Sequence, residues 1–117
     1  MNDVVVKKSK IHGRGVFAKR QFRRGEVVMQ WDVAQRVTKK QLVTLTPKDK
    51  TYLNRDAHGH LILLKSPERY VNHSSRPNTR VKGAADVAIR TIKTGEEITS
   101  DYTLEGKVPE NMMYWKP

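Results

Sequence analysis

At residues 69–78 the chain reads RYVNHSSRPN, and the remaining sequence is organised around this stretch. An apolar pair leads into Asn72 and His73, and Pro77 with Asn78 forms a closing turn. Asparagine, histidine and serine side chains together offer hydrogen-bond donors and acceptors of several geometries. Because they follow an apolar approach, we expect them to point inward, toward a site. A polar turn with local side-chain to backbone bonds is the alternative explanation.

The composition indicates one basic domain. The chain has 117 residues, which suffice for a single hydrophobic core, so we treat residues 1–117 as one domain. Lysine and arginine number 23 against 12 aspartates and glutamates, a formal net charge of +11. This excess predicts attraction to acidic partners, nucleic acid included, although a merely soluble basic surface is the alternative. No apolar run suits a membrane span and no signal peptide opens the chain, so we expect a soluble intracellular protein.

Short runs with strand character dominate the sequence. The runs that we predict as strands are residues 4–6, 16–18, 26–31, 61–64 and 85–90. Thr38 is a candidate cap for a short helix that reaches Leu45, and Pro47 ends that pattern. No internal repeat is evident. The pattern predicts a β-rich fold, α+β with few short helices, built from several small sheets.

Two glycine-containing stretches resemble ligand sites. Gly13 and Gly15 flank Arg14, and such glycines permit positive φ and close backbone approach to a ligand, although a tight hairpin explains them equally well. His58 and His60 are spaced like a metal-binding pair, but the glycine between them favours a hairpin tip. The sequence has no cysteine, which excludes thiolate zinc sites and disulfides. We predict no metal site.

Three blocks in order carry a family resemblance: residues 11–18 (IHGRGVFA), residues 69–78, and residues 95–102 (GEEITSDY). Together they resemble the SET domain of protein-lysine methyltransferases, with its motifs R-F-x-N-H-S-C-x-P-N and G-E-E-[IL]-T-x-D-Y. The resemblance covers most of the chain. It implies the SET fold, in which a C-terminal segment threads a loop to form a pseudoknot. Ser75 departs from the family cysteine, and the Cys-rich zinc-binding flanks of many relatives have no counterpart here.

The resemblance implies transfer of a methyl group from S-adenosylmethionine to a lysine. An ordinary lysine has a pKa of about 10.4, so its amine is protonated at neutral pH. A narrow apolar channel that ends at a tyrosine hydroxyl favours the neutral amine and aligns it. The family motif assigns this catalytic role to Tyr102; core packing is the alternative for a tyrosine at a strand end.

The resemblance also implies a donor-binding site. The residues that it assigns to S-adenosylmethionine are Gly13, Arg14, Gly15, Arg69, Tyr70, Asn72, His73 and Trp115. By position, the glycines cradle the methionyl end, Asn72 binds the amino-acid end, and backbone atoms of His73 meet the adenine. A core histidine is the alternative for His73, and Arg69 with Asn78 also qualifies as a structural pair that holds the loop.

The C-terminal flank, about residues 102–117, ends in an aromatic and methionine-rich cluster that includes Trp115. We expect this tail to close the active site or to form a contact in a homodimer. Ser100 stands where relatives commonly carry phenylalanine or tyrosine, a position that resembles a switch for the number of methyl groups added. A small residue there leaves room for further transfers, unless water held by the hydroxyl reverses that effect.

The net positive charge of the chain limits which protein substrates it can approach. Relatives often modify histone tails, but a basic face repels a basic tail, so a chromatin substrate requires DNA-mediated recruitment or a local acidic groove. The candidate groove residues are Asp32, Glu68, Glu96, Glu97, Asp101 and Glu105. The alternative function is a non-catalytic, basic β-rich module that binds nucleic acid or acidic partners. A SET scaffold that binds only the donor is a third hypothesis, and the presence of Tyr102 and Asn72 argues against it.

Overall fold

The computed structural model describes residues 3–32, 36–50, 52–55 and 60–101. Within these residues the chain forms nine strands: β1 (Val4–Lys8), β2 (Arg14–Ala18), β3 (Val27–Gln30), β4 (Leu53–Arg55), β5 (Leu61–Leu63), β6 (Asn72–His73), β7 (Thr79–Val81), β8 (Ala85–Ala88) and β9 (Glu97–Ser100). The helical elements are short: α1 (Lys39–Leu42), α2 (Pro47–Lys50) and a 3-10 turn (Glu68–Tyr70). The prediction of a β-rich fold with few short helices is confirmed.

The strands form three small sheets in the described part of the chain, with the orders β1-β2-β9-β6, β3-β8-β7 and β4-β5. Neighbouring strands are antiparallel except β6 and β9, which run parallel and place Asn72 beside Thr99 and His73 beside Ser100. This pairing joins the motif block at residues 69–78 to the block at residues 95–102, although sixteen residues separate them in the sequence. The segment predicted to thread a pseudoknot lies outside the described residues.

A hydrophobic core lies between the two larger sheets and the turns that connect them. Its fully buried members include Val16, Phe22, Ile92 and Ile98. A smaller cluster surrounds Trp31, whose indole Nε1 donates to Asp86 Oδ2 at 2.9 Å so that the buried polar group is satisfied. Ile98 anchors β9 in this core, and β9 in turn pairs with β6.

The helix after Thr38 is shorter than the sequence pattern predicts. Thr38 and Gln41 form a reciprocal capping box, so the predicted start is correct. The α-helix ends at Leu42 rather than Leu45. Leu42 is its one buried residue, which leaves little apolar contact to extend it.

The fold contains an internal repeat that the sequence analysis missed. Residues 20–26 read RQFRRGE and residues 90–96 read RTIKTGE, so arginine, an apolar residue, a basic residue, glycine and glutamate recur at one spacing. The two segments meet where Phe22 and Ile92 exchange both backbone hydrogen bonds at 2.9 Å. We call residues 20–26 the first turn and residues 90–96 the second turn. The repeat escapes a periodicity search because its copies are short and lie far apart.

Residues 56–59, which include His58, lie outside the described residues, whereas β4 and β5 on either side form an antiparallel pair. No group of three or more histidines, aspartates or glutamates in the described segments is placed to hold a metal ion. None of the helices in the described segments has the length and apolar character that crossing a membrane requires.

Candidate functional site

The loop between β1 and β2, residues 9–13, is one wall of the candidate site. The backbone N–H of Ser9 donates to the carbonyl of Gly13 at 2.8 Å and closes the loop. Gly13 has a φ of 46°, in the left-handed region that glycine adopts without strain. The loop therefore presents backbone groups toward β6 in a fixed conformation.

Asn72 on β6 ties this loop to the sheet. Its Nδ2 donates to the carbonyls of His12 at 3.1 Å and Arg14 at 3.0 Å. The same nitrogen lies 2.9 Å from Glu97 Oε2 and 3.2 Å from Ser9 Oγ. Because the carboxamide has only two N–H groups, it shares them among acceptors that surround it closely. The orientation of the Asn72 amide is therefore determined by its neighbours.

Glu97 is the second anchor of the loop. The Ser9 hydroxyl lies 2.8 Å from Glu97 Oε1 and 2.9 Å from Oε2 and donates to this carboxylate. A Cβ at position 15 would collide with Glu97 Oε2 and would lie 3.0 Å from the Cβ of Ser9. Gly15 is thus required for space rather than for backbone conformation, because only its missing side chain lets the carboxylate approach the strand.

These bonds leave the other end of the Asn72 side chain available. No described residue donates a hydrogen bond to Asn72 Oδ1, although the residue as a whole is buried. An unused carbonyl oxygen beside a rigid loop is a ready acceptor for an ammonium group. The site therefore has a fixed backbone wall and one oriented acceptor.

Arg69 and Tyr70 lie next to this wall. The Arg69 guanidinium stacks on the rings of Tyr52 at 4.9 Å and Tyr70 at 5.1 Å, and Arg69 Nη2 donates to the Tyr70 hydroxyl at 3.1 Å. This hydrogen bond, with the positive charges of Arg69, Arg14 and Lys48, lowers the pKa of Tyr70. The cluster concentrates positive charge beside the loop.

The far end of β9 leads out of the site. The N–H of Ser74 donates to the carbonyl of Ser100 at 3.0 Å, and His73 Nδ1 lies 3.8 Å from Asp101 Oδ1. Ser100 and Asp101 are both buried. The residue that follows them, Tyr102, lies outside the described residues, as does Trp115.

Asn78 joins the second turn to β9. It is 1% exposed, its Nδ2 donates to the carbonyl of Glu97 at 2.7 Å, and its Oδ1 accepts from the N–H of Thr99 at 2.8 Å. The Asn78 side chain thus takes the place of a neighbouring strand at this edge of β9. The RYVNHSSRPN stretch holds β9 at both of its asparagines.

Most of the predicted donor-site residues are brought together. Gly13, Arg14 and Gly15 lie against Asn72, and Arg69 with Tyr70 forms the adjacent cluster. His73 instead faces Asp101 at the opposite end of β6. The sequence analysis missed Ser9 and named Glu97 as a candidate for an acidic groove, whereas Glu97 accepts from the side chains of Ser9 and Asn72. The one signal for Glu97 was its place in the GEEITSDY block.

Comparisons with known proteins agree with this geometry. The family model for the SET domain matches residues 13–103. The chain therefore belongs to the SET domain family. It is 31% identical over 120 residues to human histone-lysine N-methyltransferase 2B, and 28% identical over 123 residues to the variant-silencing SET domain-containing protein of Plasmodium falciparum. These matches cover 85% and 88% of the chain but only 4% and 5% of the relatives' length.

Solved structures share the fold. An autoinhibited polycomb repressive complex 2 of Chaetomium thermophilum bound to S-adenosylmethionine matches with a TM-score of 0.71 and 24% identity, over 86% of this chain and 15% of that one. A histone methyltransferase of P. falciparum matches with a TM-score of 0.61 and 20% identity, over 87% and 94% of the two chains. In the second match the shared fold extends over nearly the whole length of the P. falciparum chain.

Proposed function

We propose that this chain transfers methyl groups from S-adenosylmethionine to a lysine side chain of a protein substrate. Membership of the SET domain family supports the reaction class. The observation that carries the proposal is the network in which Asn72 and Glu97 fix the loop at residues 9–13 and leave Asn72 Oδ1 free. That arrangement suits a ligand that has an ammonium group and further hydrogen-bonding atoms that can face the backbone of the loop at residues 9–13.

The residues present fit the donor. Asn72 Oδ1 is placed to accept from the ammonium of its amino-acid end, and the positive charge of Arg14 and Arg69 suits its carboxylate. Backbone groups of Gly13 and Gly15 complete that wall. We propose that His73 meets the adenine through its backbone and that the tail, with Trp115, covers the bound donor.

When bound, S-adenosylmethionine would supply a sulfonium methyl group, whose carbon forms a bond to the amine nitrogen as the C–S bond breaks and S-adenosylhomocysteine leaves. The work of the protein is to deliver a neutral, aligned lysine amine to that methyl group. We assign this role to Tyr102, which directly follows the buried Ser100–Asp101 end of β9. Its hydroxyl accepts from the substrate amine and orients the lone pair, while the apolar channel disfavours the charged ammonium form. The buried serine leaves space for a product with more than one methyl group.

Tyr102→Phe tests the catalytic assignment. The ring keeps its packing and loses only the hydroxyl, so methyl transfer should fall by roughly 10²-fold or more while donor binding stays close to wild type. Mass spectrometry of a lysine-scanned peptide array measures transfer, identifies the substrate sequence and counts the methyl groups. A Tyr102→Phe variant with full activity would show that the assignment is wrong.

We further propose that the tail after residue 102 completes the site, and that the chain acts inside cells on a DNA-associated protein as a homodimer. Truncation after Lys107 should then abolish transfer and release monomers. Light scattering at micromolar concentration gives the mass directly. A monomeric full-length chain would refute the dimer, and full activity of the truncated chain would refute the role of the tail.

A non-catalytic module that binds acidic partners is the second candidate, because many lysine and arginine side chains are exposed. Titration with S-adenosylmethionine separates the two classes. Saturable donor binding supports the enzyme, whereas its absence together with binding to an acidic partner supports the module.

A further inference from the structure

The carboxylates proposed from the sequence to recognise a basic substrate are already engaged within the chain. Asp32 pairs with Lys65 at 3.3 Å, and Glu96 pairs with Arg90 at 2.8 Å. Glu97 accepts from Ser9 and Asn72, and Asp101 faces His73. Glu68 is buried, and burial raises the pKa of its carboxyl group, so its charge is disfavoured. The described candidates for an acidic groove therefore do not present free carboxylates to a basic peptide.

Three exposed cations, in contrast, lie close together at the end of the first hairpin. Lys8 and Arg14 lie directly opposite each other in the pairing of β1 with β2, and Lys10 lies in the connecting loop. All three side chains are exposed, and within the described part of the chain none of them makes an ion pair. Like charges that face each other across two strands destabilise a hairpin. A bound anion would remove that cost.

We propose that this hairpin end is a docking surface for double-stranded DNA. Binding there places the duplex beside the candidate donor site, which the same loop forms. Recruitment of DNA-bound substrates by this surface rests on the proposed methyl transfer, whereas the DNA contact itself does not. The surface would supply the recruitment that a basic enzyme without an acidic groove requires.

The charge pattern favours DNA over an acidic peptide. Exposed cations without an ion pair in the described segments also occur on other elements, including Arg24, Lys39 and Lys82. A duplex carries one charge for about every 1.7 Å of its axis, so it attracts these scattered cations at a distance while the hairpin end makes the contact. An acidic peptide would need only one local cluster.

Aromatic side chains argue against single strands. Single-stranded nucleic acid is bound largely by stacking of bases on exposed aromatic rings. The exposed large apolar side chains of the described residues are Val5, Ile11, Val27 and Val43, and no ring is among them. Phe22 and Trp31 are buried, and Phe17 lies under Lys7 at 4.6 Å. Tyr52 and Tyr70 are half-buried and stack on Arg69, so within the described segments a backbone-directed contact with a duplex is favoured over base stacking.

The test is fluorescence anisotropy of a labelled 20-base-pair duplex (a length of about two helical turns), titrated with the full chain over a range of salt concentrations. Lys8→Glu with Lys10→Glu reverses two of the three hairpin charges and leaves Arg14 in place; Lys10 lies in the loop that forms one wall of the donor site. Lys39→Glu with Lys82→Glu changes the net charge by the same amount elsewhere. We expect the hairpin variant to bind at least tenfold more weakly than the control variant and its salt slope to fall by about 2.

Four results would overturn the proposal. They are no binding of the duplex by the wild type, equal losses in the two variants, tighter binding of a single strand than of the duplex, and displacement of DNA by polyglutamate at equal charge concentration. The last result would mark a surface for acidic proteins. Thermal melting of the hairpin variant runs alongside: a melting temperature close to that of the wild type shows that the fold is intact. A separate donor titration uses the wild type only, and its failure to bind donor would count against the proposed methyl transfer alone.

Discussion

The first and second turns share the same local hydrogen bonds but differ in their contacts with the rest of the chain. In the first turn, Glu26 accepts from the N–H of Arg23 at 2.6 Å and from the side chain of Arg20 at 3.3 Å. In the second turn, Glu96 accepts from the N–H of Lys93 at 3.0 Å and from the side chain of Arg90. Their glycines have φ values of 92° and 87°. One sequence pattern thus builds the same turn twice.

The difference comes from a third segment. Asn78 donates to Glu96 at 3.1 Å, whereas no described side-chain amide reaches Glu26. The residue after Glu96 is Glu97, which anchors the loop at residues 9–13 (the donor loop). The residue after Glu26 is the exposed Val27. The shared motif therefore builds a structural turn in both places. Only the second turn contributes to the candidate site, because the buried side chain of Asn78 holds it against β9.

The largest effect on stability is expected for Asn78→Ala, which removes the side chain that distinguishes the two turns. Buried backbone groups of Glu97 and Thr99 lose their partners, and each loss costs about 1–3 kcal/mol. We expect the free energy of unfolding to fall by about 3 kcal/mol in urea titrations. Gln21→Ala in the first turn removes an exposed amide and should change it by less than about 0.5 kcal/mol. Equal effects would mean that Asn78 does not set the turns apart.

A smaller loss is expected for Gly15→Ala, because its new methyl group collides with the Glu97 carboxylate. We expect a loss of about 1–3 kcal/mol, typical of overpacking. The double variant Gly15→Ala with Glu97→Ala should lose less than the sum of the single variants, because the second change makes room. Strict additivity in urea unfolding would exclude this contact as the reason for glycine at position 15.

Acid sensitivity should also distinguish the two turns. Burial opposes the charge of Glu96, but hydrogen bonds from Lys93, Arg90 and Asn78 outweigh it and lower its pKa, and the pKa of Glu26 is lowered chiefly by its bond from the Arg23 N–H. Each lowered pKa contributes stability above the unfolded value of 4.5 that is lost as pH falls through the folded value.

Glu96→Gln should therefore lower the melting temperature near pH 7 more than Glu26→Gln, and both differences should shrink below pH 4. Thermal melts from pH 7 to pH 2 provide the measurement. A larger effect at Glu26 would reverse the comparison.

The smallest expected effect is a gain. Burial raises the pKa of the Glu68 carboxyl group. The protonated form therefore contributes to stability below the unfolded pKa of 4.5, and this contribution is lost as pH rises through the folded pKa. Glu68→Gln keeps the shape without the charge, and it should raise the melting temperature near pH 7 slightly, with a gain that disappears at low pH. A lower melting temperature near pH 7 would show that the carboxylate is well compensated.

The sequence predicted the fold class and the grouping of the motif residues. Strand patterns and turn residues are local signals, so β2, β3 and β8 could be located from them. The 3-10 turn at Glu68–Tyr70 delivers the buried Val71 to the core. Gly13, Arg14, Gly15 and Asn72 were assigned together through the family resemblance, and in the structure the Asn72 side chain donates to the Arg14 carbonyl, between the two glycines.

What the sequence could not provide was long-range pairing. The parallel contact between β6 and β9, the meeting of Phe22 with Ile92, and the bond from Ser9 to Glu97 all join residues far apart in the chain. No periodicity records such contacts. The requirement for glycine at position 15 is likewise invisible locally, because it arises from the carboxylate of a strand more than eighty residues away.

The most direct test of the account is calorimetric titration of S-adenosylmethionine into the wild type, Asn72→Ala and Asn54→Ala. Asn54 is also a buried asparagine, 3% exposed, but none of its described contacts involves the donor loop. We predict saturable binding by the wild type, an affinity at least about tenfold lower for Asn72→Ala, and wild-type affinity for Asn54→Ala. Absence of wild-type binding, or equal affinity in all three proteins, would contradict it.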